Sequence, residues 1–233
     1  MPFYQPDLDL AYPTLPPDES SHCVRVLRQQ TGDPIEVVDG KGRYYRGVIQ
    51  RADPKQCTFT IVDIRSEPTK DYRVHLIIAP TKNLDRTEWL VEKAVEVGVD
   101  RLSFVRCAHS ERRVLKTERL VRKAVAAMKQ SGRATAPIIR GLQPLSDYLK
   151  RVSKVGQKLM AYVDSDNPNT LAQTAQPGMT YEVLVGPEGG FSPDEVAQAQ
   201  ATGYQTVSLG SYRLRTETAG LFVCTALNFI NQR

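Results

Sequence analysis

The rhythm of apolar and polar positions changes near residue 70. Before that point the apolar runs are short. Ile35–Val38 and Tyr44–Ile49 flank Asp39-Gly40-Lys41-Gly42, a turn-forming tetrapeptide that predicts a hairpin. Thr58–Ile64 alternates like a half-buried strand, with Phe59, Ile61 and Asp63 on one face and Thr60, Val62 and Ile64 on the other. Upstream, after Pro13, Pro16 and Pro17, Ser20 and Ser21 can cap a short helix through Val24, Val26 and Leu27. Short strands and tight turns in so few residues predict a small β-barrel over 1–70. The polar stretch Ser66–Asp71 predicts a linker.

Beyond it, strands alternate with helices. Val74–Ala79, Leu102–Val105, Leu159–Val163, Val183–Val185 and Val207–Leu209 are apolar runs of buried-strand type. Glu88–Val97 carries Leu90, Val91, Ala94 and Val95 on one helical face and stops at Gly98. Glu118–Gln130 has an apolar stripe of Leu120, Val121, Ala124, Val125 and Met128. Ser192-Pro193-Asp194-Glu195 reads as a helix start, and Thr216 as the cap of a last helix to about Ile230. The alternation predicts an α/β domain over 73–233, with a mostly parallel sheet covered on both faces. The last helix has almost no polar side, so it belongs either to a central core or to a homodimer seam.

Composition narrows the function. The chain of 233 residues is 41% hydrophobic and 24% charged, enough for a real core. A net charge of +5 suits a polyanionic partner without requiring one. No run approaches the ~18 apolar residues of a membrane span. The start, Met-Pro-Phe-Tyr-Gln-Pro-Asp, lacks the basic and apolar pattern of a signal peptide, so a cytoplasmic protein is expected. Cys23, Cys57, Cys107 and Cys224 are dispersed and read as reduced, buried thiols. His22, His75 and His109 show no paired ligand spacing, so no metal is expected.

Two glycine loops concentrate the candidate chemistry. Leu184-Val185-Gly186-Pro187-Glu188-Gly189-Gly190-Phe191-Ser192 leaves a strand, turns tightly and enters a capped helix. In parallel sheets such strand ends bind ligands, and glycines let backbone amides approach them. The spacings of a P-loop and of a dinucleotide fingerprint are both absent, and Glu188 would repel a phosphate. The second loop, Ser208 to Ala219, repeats the layout, and Arg215, Thr216 and Glu217 crowd the helix start.

Together VGPEGGFSPDE and LGSYRLRTETAG resemble the RsmE family of ribosomal RNA uridine-N3 methyltransferases in the SPOUT superfamily. The resemblance runs the length of the chain. It includes His22 with Val26-Leu27-Arg28 and Gly32-Asp33, then Lys82, Asp85, Glu88, Lys93, Glu96, Gly98 and Val99. Ser110-Glu111-Arg112 and Gln130-Ser131-Gly132-Arg133 complete it. It departs at Ser211-Tyr212-Arg213, where the family usually has Pro-Arg-Ile, at the glutamates missing before Gln130, and at a missing proline near Arg106.

The resemblance implies a PUA-like RNA-gripping barrel, a C-terminal trefoil knot, a homodimer and S-adenosylmethionine as cofactor. Val185, Gly186, Pro187, Glu188, Gly189, Gly190, Leu209, Gly210, Leu214 and Thr216 would line the cofactor pocket, with Thr81 and Lys82 beside it. Methylation of uridine N3 requires loss of the imide proton and puts negative charge on O2 and O4. A fixed cation would stabilise that charge. Arg215 is the first choice for it, and Glu217 would orient that arginine or take the proton. RNA contact is expected from the Ser110–Arg133 segment, where eight basic residues meet two acids. Its Arg112, Arg113 and Arg133, with Lys82 and the barrel's Arg25, Arg28, Arg43 and Arg46 beside Tyr44 and Tyr45, are the named candidates. The substrate would be 16S ribosomal RNA or the small subunit. A ribose 2′-O-methyltransferase and a catalytically inert RNA-binding module are the competing readings.

Overall fold

The two rhythms of the sequence become two folding units in the computed structural model, which describes residues 1–151, 155–163 and 169–232. One unit combines Met1–Thr69 with Val125–Ala136; the other combines Lys70–Ala124 with Pro137–Arg233.

The first unit contains β1 (Phe3–Tyr4), α1 (Pro17–Ser21) with a π-helical turn at His22–Val26, β2 (Pro34–Val38), β3 (Arg43–Arg51) and β4 (Thr58–Ser66). The hairpin forms where the tetrapeptide places it, with Val38 opposite Tyr44. Asp39 organises the turn: its Oδ1 accepts from the amides of Lys41 (2.7 Å) and Arg43 (3.0 Å), and the Tyr45 hydroxyl donates to Oδ2 (3.2 Å). The strands form one sheet in the order β1-β2-β3-β4, continued past β4 by a Thr14–Thr58 bridge. Bulges at Arg46/Gly47 and Ile49/Arg51 bend it over a core that includes Leu15, Val37, Ile49 and Phe59.

The first helix starts earlier than its serines suggest. Pro17 opens it, and the buried Ser20 instead donates to the Leu15 carbonyl (3.1 Å) and accepts from the Cys57 amide (3.0 Å). Ser20 therefore ties the helix to the sheet rather than capping it. The Gln130-Ser131-Gly132-Arg133 motif also belongs to this unit. The Tyr44 hydroxyl donates to the Gly132 carbonyl (2.7 Å), and the following residues pair with the hairpin through Gly42–Ala134 (3.1 Å) and Ala136–Gly40 (2.9 Å).

The second unit runs β5 (Arg73–Ile78), α2 (Leu84–Glu96), β6 (Arg101–Arg106), α3 (Thr117–Gln130, whose end joins the first unit), β7 (Ile138–Pro144), α4 (Leu145–Leu149) and β8 (Gln157–Ala161). Then follow α5 (Leu171–Thr174), β9 (Thr180–Val185), α6 (Pro193–Ala201), β10 (Gln205–Val207) and α7 (Thr216–Ile230). The five ladders among the described residues are all parallel, in the order β10-β8-β9-β5-β6-β7. The last strand ends at Val207, two residues before the end of the apolar run that predicts it.

The inner strands bury nearly every side chain, which explains their unbroken apolar runs. One polar cluster interrupts this core: His75 Nε2 lies 2.8 Å from Ser103 Oγ, His75 Nδ1 3.7 Å from Glu182, and the Tyr204 hydroxyl donates to Glu182 (3.3 Å). Burial, stronger than the opposing pull of Glu182, pushes the His75 imidazole below its ordinary value.

The apolar last helix divides its two readings between its faces. Ala219, Gly220, Val223, Cys224 and Leu227 are core, whereas Phe222 is 43% and Phe229 75% exposed. Arg215, not Thr216, is its N-cap residue.

Candidate active site

A parallel sheet brings the carboxyl ends of its strands to one edge. Here the loops after β5, β6, β9 and β10 share that edge. The strand sequence reverses direction where β9 inserts between β8 and β5, the kind of switch point where open α/β sheets hold ligands. Because β10 pairs with β8 while α7 packs on β5, β9 and α2, residues 208–215 must cross the ends of β8 and β9. The buried Thr216 fixes the end of that crossing: its hydroxyl donates to the Gly186 carbonyl (3.2 Å). The two glycine loops are thus joined by a direct hydrogen bond.

The loop after β9 is held from both sides. Ser192 and Glu195 form a reciprocal capping box. The same Glu195 accepts from the Ala108 amide (2.7 Å), tying α6 to the loop after β6. His109 Nδ1 lies 3.1 and 3.2 Å from the carbonyls of Gly189 and Gly190. Carbonyls only accept, so this nitrogen carries the proton. Gly189 is required by the contact, since a Cβ there would sit 2.8 Å from the His109 Cβ. Glu188 accepts from the Lys82 amide (3.1 Å), which gives this carboxylate a place beside the β5 loop.

Arg112, a candidate for RNA contact, instead donates from Nε to the Thr81 carbonyl (3.0 Å) and from Nη2 to the Lys82 carbonyl (2.5 Å). Its guanidinium is a strap on the β5 loop. Thr81 is buried and its hydroxyl donates within its own turn to Asn83 (2.6 Å), so it shapes this loop from inside. The Lys82 ammonium pairs with Glu111 (2.8 Å) at the surface, and that hydrogen bond raises its pKa.

In the second loop Leu209 and Leu214 are half-buried and Gly210 is exposed. Gly210 adopts φ +121°, and nothing lies within 4 Å of where a Cβ would be. Tyr212 is 87% exposed, so the Ser211-Tyr212-Arg213 departure turns outward. Arg215 is also exposed and makes no ion pair among the described residues. Glu217 is buried and faces Arg86 of α2, at 3.6 Å, not Arg215. Glu217 thus has, in Arg86, a neighbour that sequence spacing does not reveal.

The basic segment is less uniform than its charge count implies. Arg119 pairs with Glu88, Lys123 with Glu92, and Lys129 with Glu19 (2.6 Å), an almost buried pair in the first unit. Arg113, Lys116 and Arg122 are exposed and have no ion pair among the described residues. In the first unit Arg25, Arg28 and Arg43 are exposed, Arg46 lies 4.0 Å from Glu36, and Tyr45 is buried. Among the described residues, no group of three His, Cys, Asp or Glu could hold a metal ion, and no helix is long and apolar enough to cross a membrane.

Comparison with known proteins agrees with this layout. The profile of the RNA methyltransferase domain matches residues 68–228, and that of the RNA methyltransferase PUA domain matches 15–62. Ribosomal RNA small subunit methyltransferase E of Aquifex aeolicus is 31% identical over 87% of this chain and 88% of its own. Among solved structures, a probable rRNA-methyltransferase from Porphyromonas gingivalis superposes with a TM-score of 0.89 at 41% identity, covering 99% of this chain and 98% of that one. A ribosomal RNA small subunit methyltransferase E from Neisseria gonorrhoeae, bound to S-adenosyl methionine, gives 0.87 at 27% identity over 99% and 98% of the two chains. Two RNA methyltransferase family models in tandem and a relative 31% identical over most of both chains show that the chain belongs to the ribosomal RNA small subunit methyltransferase E family.

Proposed function

We propose that this protein transfers a methyl group from S-adenosylmethionine to N3 of a uridine in 16S ribosomal RNA. The observation that carries the reading is the Thr216–Gly186 bond, which holds two glycine loops together at the switch point. The residues suit the cofactor: open space over Gly210 and Gly190 lets a ligand reach the backbone. Val185, Gly186, Pro187, Glu188, Gly189, Leu209, Leu214 and Thr216 would form the rest of the pocket. When bound, the cofactor supplies an activated methyl group on a sulfonium.

The chain's own contribution is alignment and charge. The strap of Arg112 and the His109 contact fix the loops before any ligand arrives, so little reorganisation remains for the reacting geometry. Arg215, exposed at the start of α7, can reach a substrate and oppose charge on a uracil carbonyl. Arg113, with Arg106, Val114 and Leu142, lines a groove of about 380 Å³ near the ends of β6 and β7, a surface suited to RNA. Arg25, Arg28, Arg43 and Arg133 would extend the grip on the first unit.

A cytoplasmic homodimer with a knotted C-terminus completes the reading. The outward Phe222 and Phe229 of α7 and Trp89 of α2 support a dimer seam, and the crossing of 208–215 supports a knotted path. Sedimentation should give twice the monomer mass. The test of activity is transfer of labelled methyl to 16S RNA or small subunits, followed by digestion and mass spectrometry of the nucleosides. N3-methyluridine supports the reading; a ribose 2′-O-methyl product would favour the alternative, and absence of cofactor binding the inert module. The outward turn of Tyr212 and Arg213 argues against inertness, because the departure leaves the linked loops intact.

A further inference from the structure

Methylation at N3 needs an acceptor for the imide proton, and the start of α7 offers no open one: Glu217 is buried, and its Oε2 is closed to solvent. The loop after β6 supplies another. His109 is exposed, and its Nδ1 is committed to the carbonyls of Gly189 and Gly190, 3.1 and 3.2 Å away. With the proton held on Nδ1, the neutral ring leaves a lone pair on Nε2, which has no hydrogen-bond partner among the described residues. An orienting bond on one ring nitrogen is how an imidazole is kept in the tautomer that accepts a proton on the other. The charged groups on the elements around it are already engaged. Glu111 pairs with Lys82, Arg112 donates to the Thr81 and Lys82 carbonyls, Glu188 accepts from the Lys82 amide, and Glu195 holds the Ala108 amide. Position supports the same role. Arg106 before this loop and Arg113 after it line the groove of about 380 Å³, while His109 touches the glycine loop. A nucleotide gripped by those arginines can bring its base toward His109 and the open space over Gly190.

We propose that His109 Nε2 is the base that removes the N3 proton of the target uracil. The inference rests on the methyltransferase reading above and names the proton acceptor within it. The N3–H bond breaks, its proton passes to Nε2, and the electron pair left on N3 forms the bond to the methyl carbon. The carbon–sulfur bond breaks with its pair going to sulfur. The ring becomes an imidazolium whose Nδ1–H still points at two carbonyl oxygens, and their partial negative charge favours the cation. Because the ring is exposed, the proton then leaves to solvent.

His109→Asn is the discriminating variant, because its amide can keep the bond to the glycine-loop carbonyls but offers no base. Rate on 16S RNA is measured against pH, cofactor affinity by calorimetry and folding by thermal melting. At neutral pH kcat/KM should fall by ~100-fold or more, as removal of a general base does, with cofactor affinity within about twofold and the melting temperature unchanged. Wild-type rate should decline in acid, where the imidazole is protonated. The variant should lack that decline and gain rate steadily toward high pH, where the imide ionises unaided. Imidazole added to His109→Ala should restore part of the lost rate. Wild-type rate in His109→Asn, an acid decline that survives the substitution, or a loss of rate matched by an equal loss of cofactor affinity would overturn the base. Failure of the broader reading is seen separately, as wild type that itself yields no N3-methyluridine.

Discussion

The loop edge of the sheet and the basic run from Arg112 to Arg133 both looked like functional regions, but the structure treats their charges differently. At the loop edge three polar side chains meet partners far away in sequence, and the contacts converge: His109 on the glycine loop, Arg112 on the β5 loop, Glu195 on Ala108. Along the basic run, cations alternate between internal pairs and open surface. Arg112 and Lys129 hold internal partners, while Arg113 and Arg122 face outward. Charge density therefore locates a region, and partner geometry decides what each cation does.

The largest expected effect separates Lys129 from its neighbours. Lys129→Ala would leave the almost buried Glu19 unpaired, and removing one partner of a buried pair costs roughly 3–5 kcal/mol. Urea unfolding of the first unit would show the loss, and RNA affinity of the folded fraction should stay near wild type. A mild effect on stability with weakened RNA binding would reverse that assignment.

Arg112→Ala comes next. Removing donors from two carbonyls should destabilise by about 1–3 kcal/mol and loosen cofactor binding, while the salt dependence of RNA binding keeps its slope. If the slope falls instead, the strap also touches phosphate. The converse holds for Arg113→Ala with Arg122→Ala: the melting temperature should stay unchanged, and the salt slope should become shallower by ~1 for each phosphate left without its arginine. These two experiments sharpen the contrast directly, since equal outcomes would erase it.

The smallest effect tests the core of the second unit. The folded-state pKa of His75 is lowered by burial, so below about pH 6.5 the unfolded chain binds a proton that the native chain refuses. Stability should be flat above neutral pH and decline as pH falls from about 7 toward the lowered native value. His75→Gln should flatten that decline in urea midpoints, and an unchanged slope would assign it to other groups.

What could be read from sequence depended on how local the cause was. Ser192-Pro193 starts α6 as its residues dictate, and the hairpin at Asp39–Gly42 closes within a few residues. Glu195 had a local signal in the Ser-x-x-Glu box, although its second bond, to Ala108, did not. β7 carries no clear sequence signal because Ile138–Pro144 is a half-exposed edge strand with a glycine and no alternation, and α4 and α5 are too short to show a period. Arg86 gave no signal at all, since its link to Glu217 exists only once α2 packs on α7. The family motifs marked the glycine loops, but the Gln130-Ser131-Gly132-Arg133 motif proved to serve the hairpin of the first unit.

By the proposed function, the joined loops serve methylation of one uridine of the small-subunit RNA at N3. Mass spectrometry of 16S nucleosides from a strain lacking this protein is the decisive experiment. N3-methyluridine should disappear there and return when the wild-type gene is restored; its persistence at the normal level would mean that these loops do not make it.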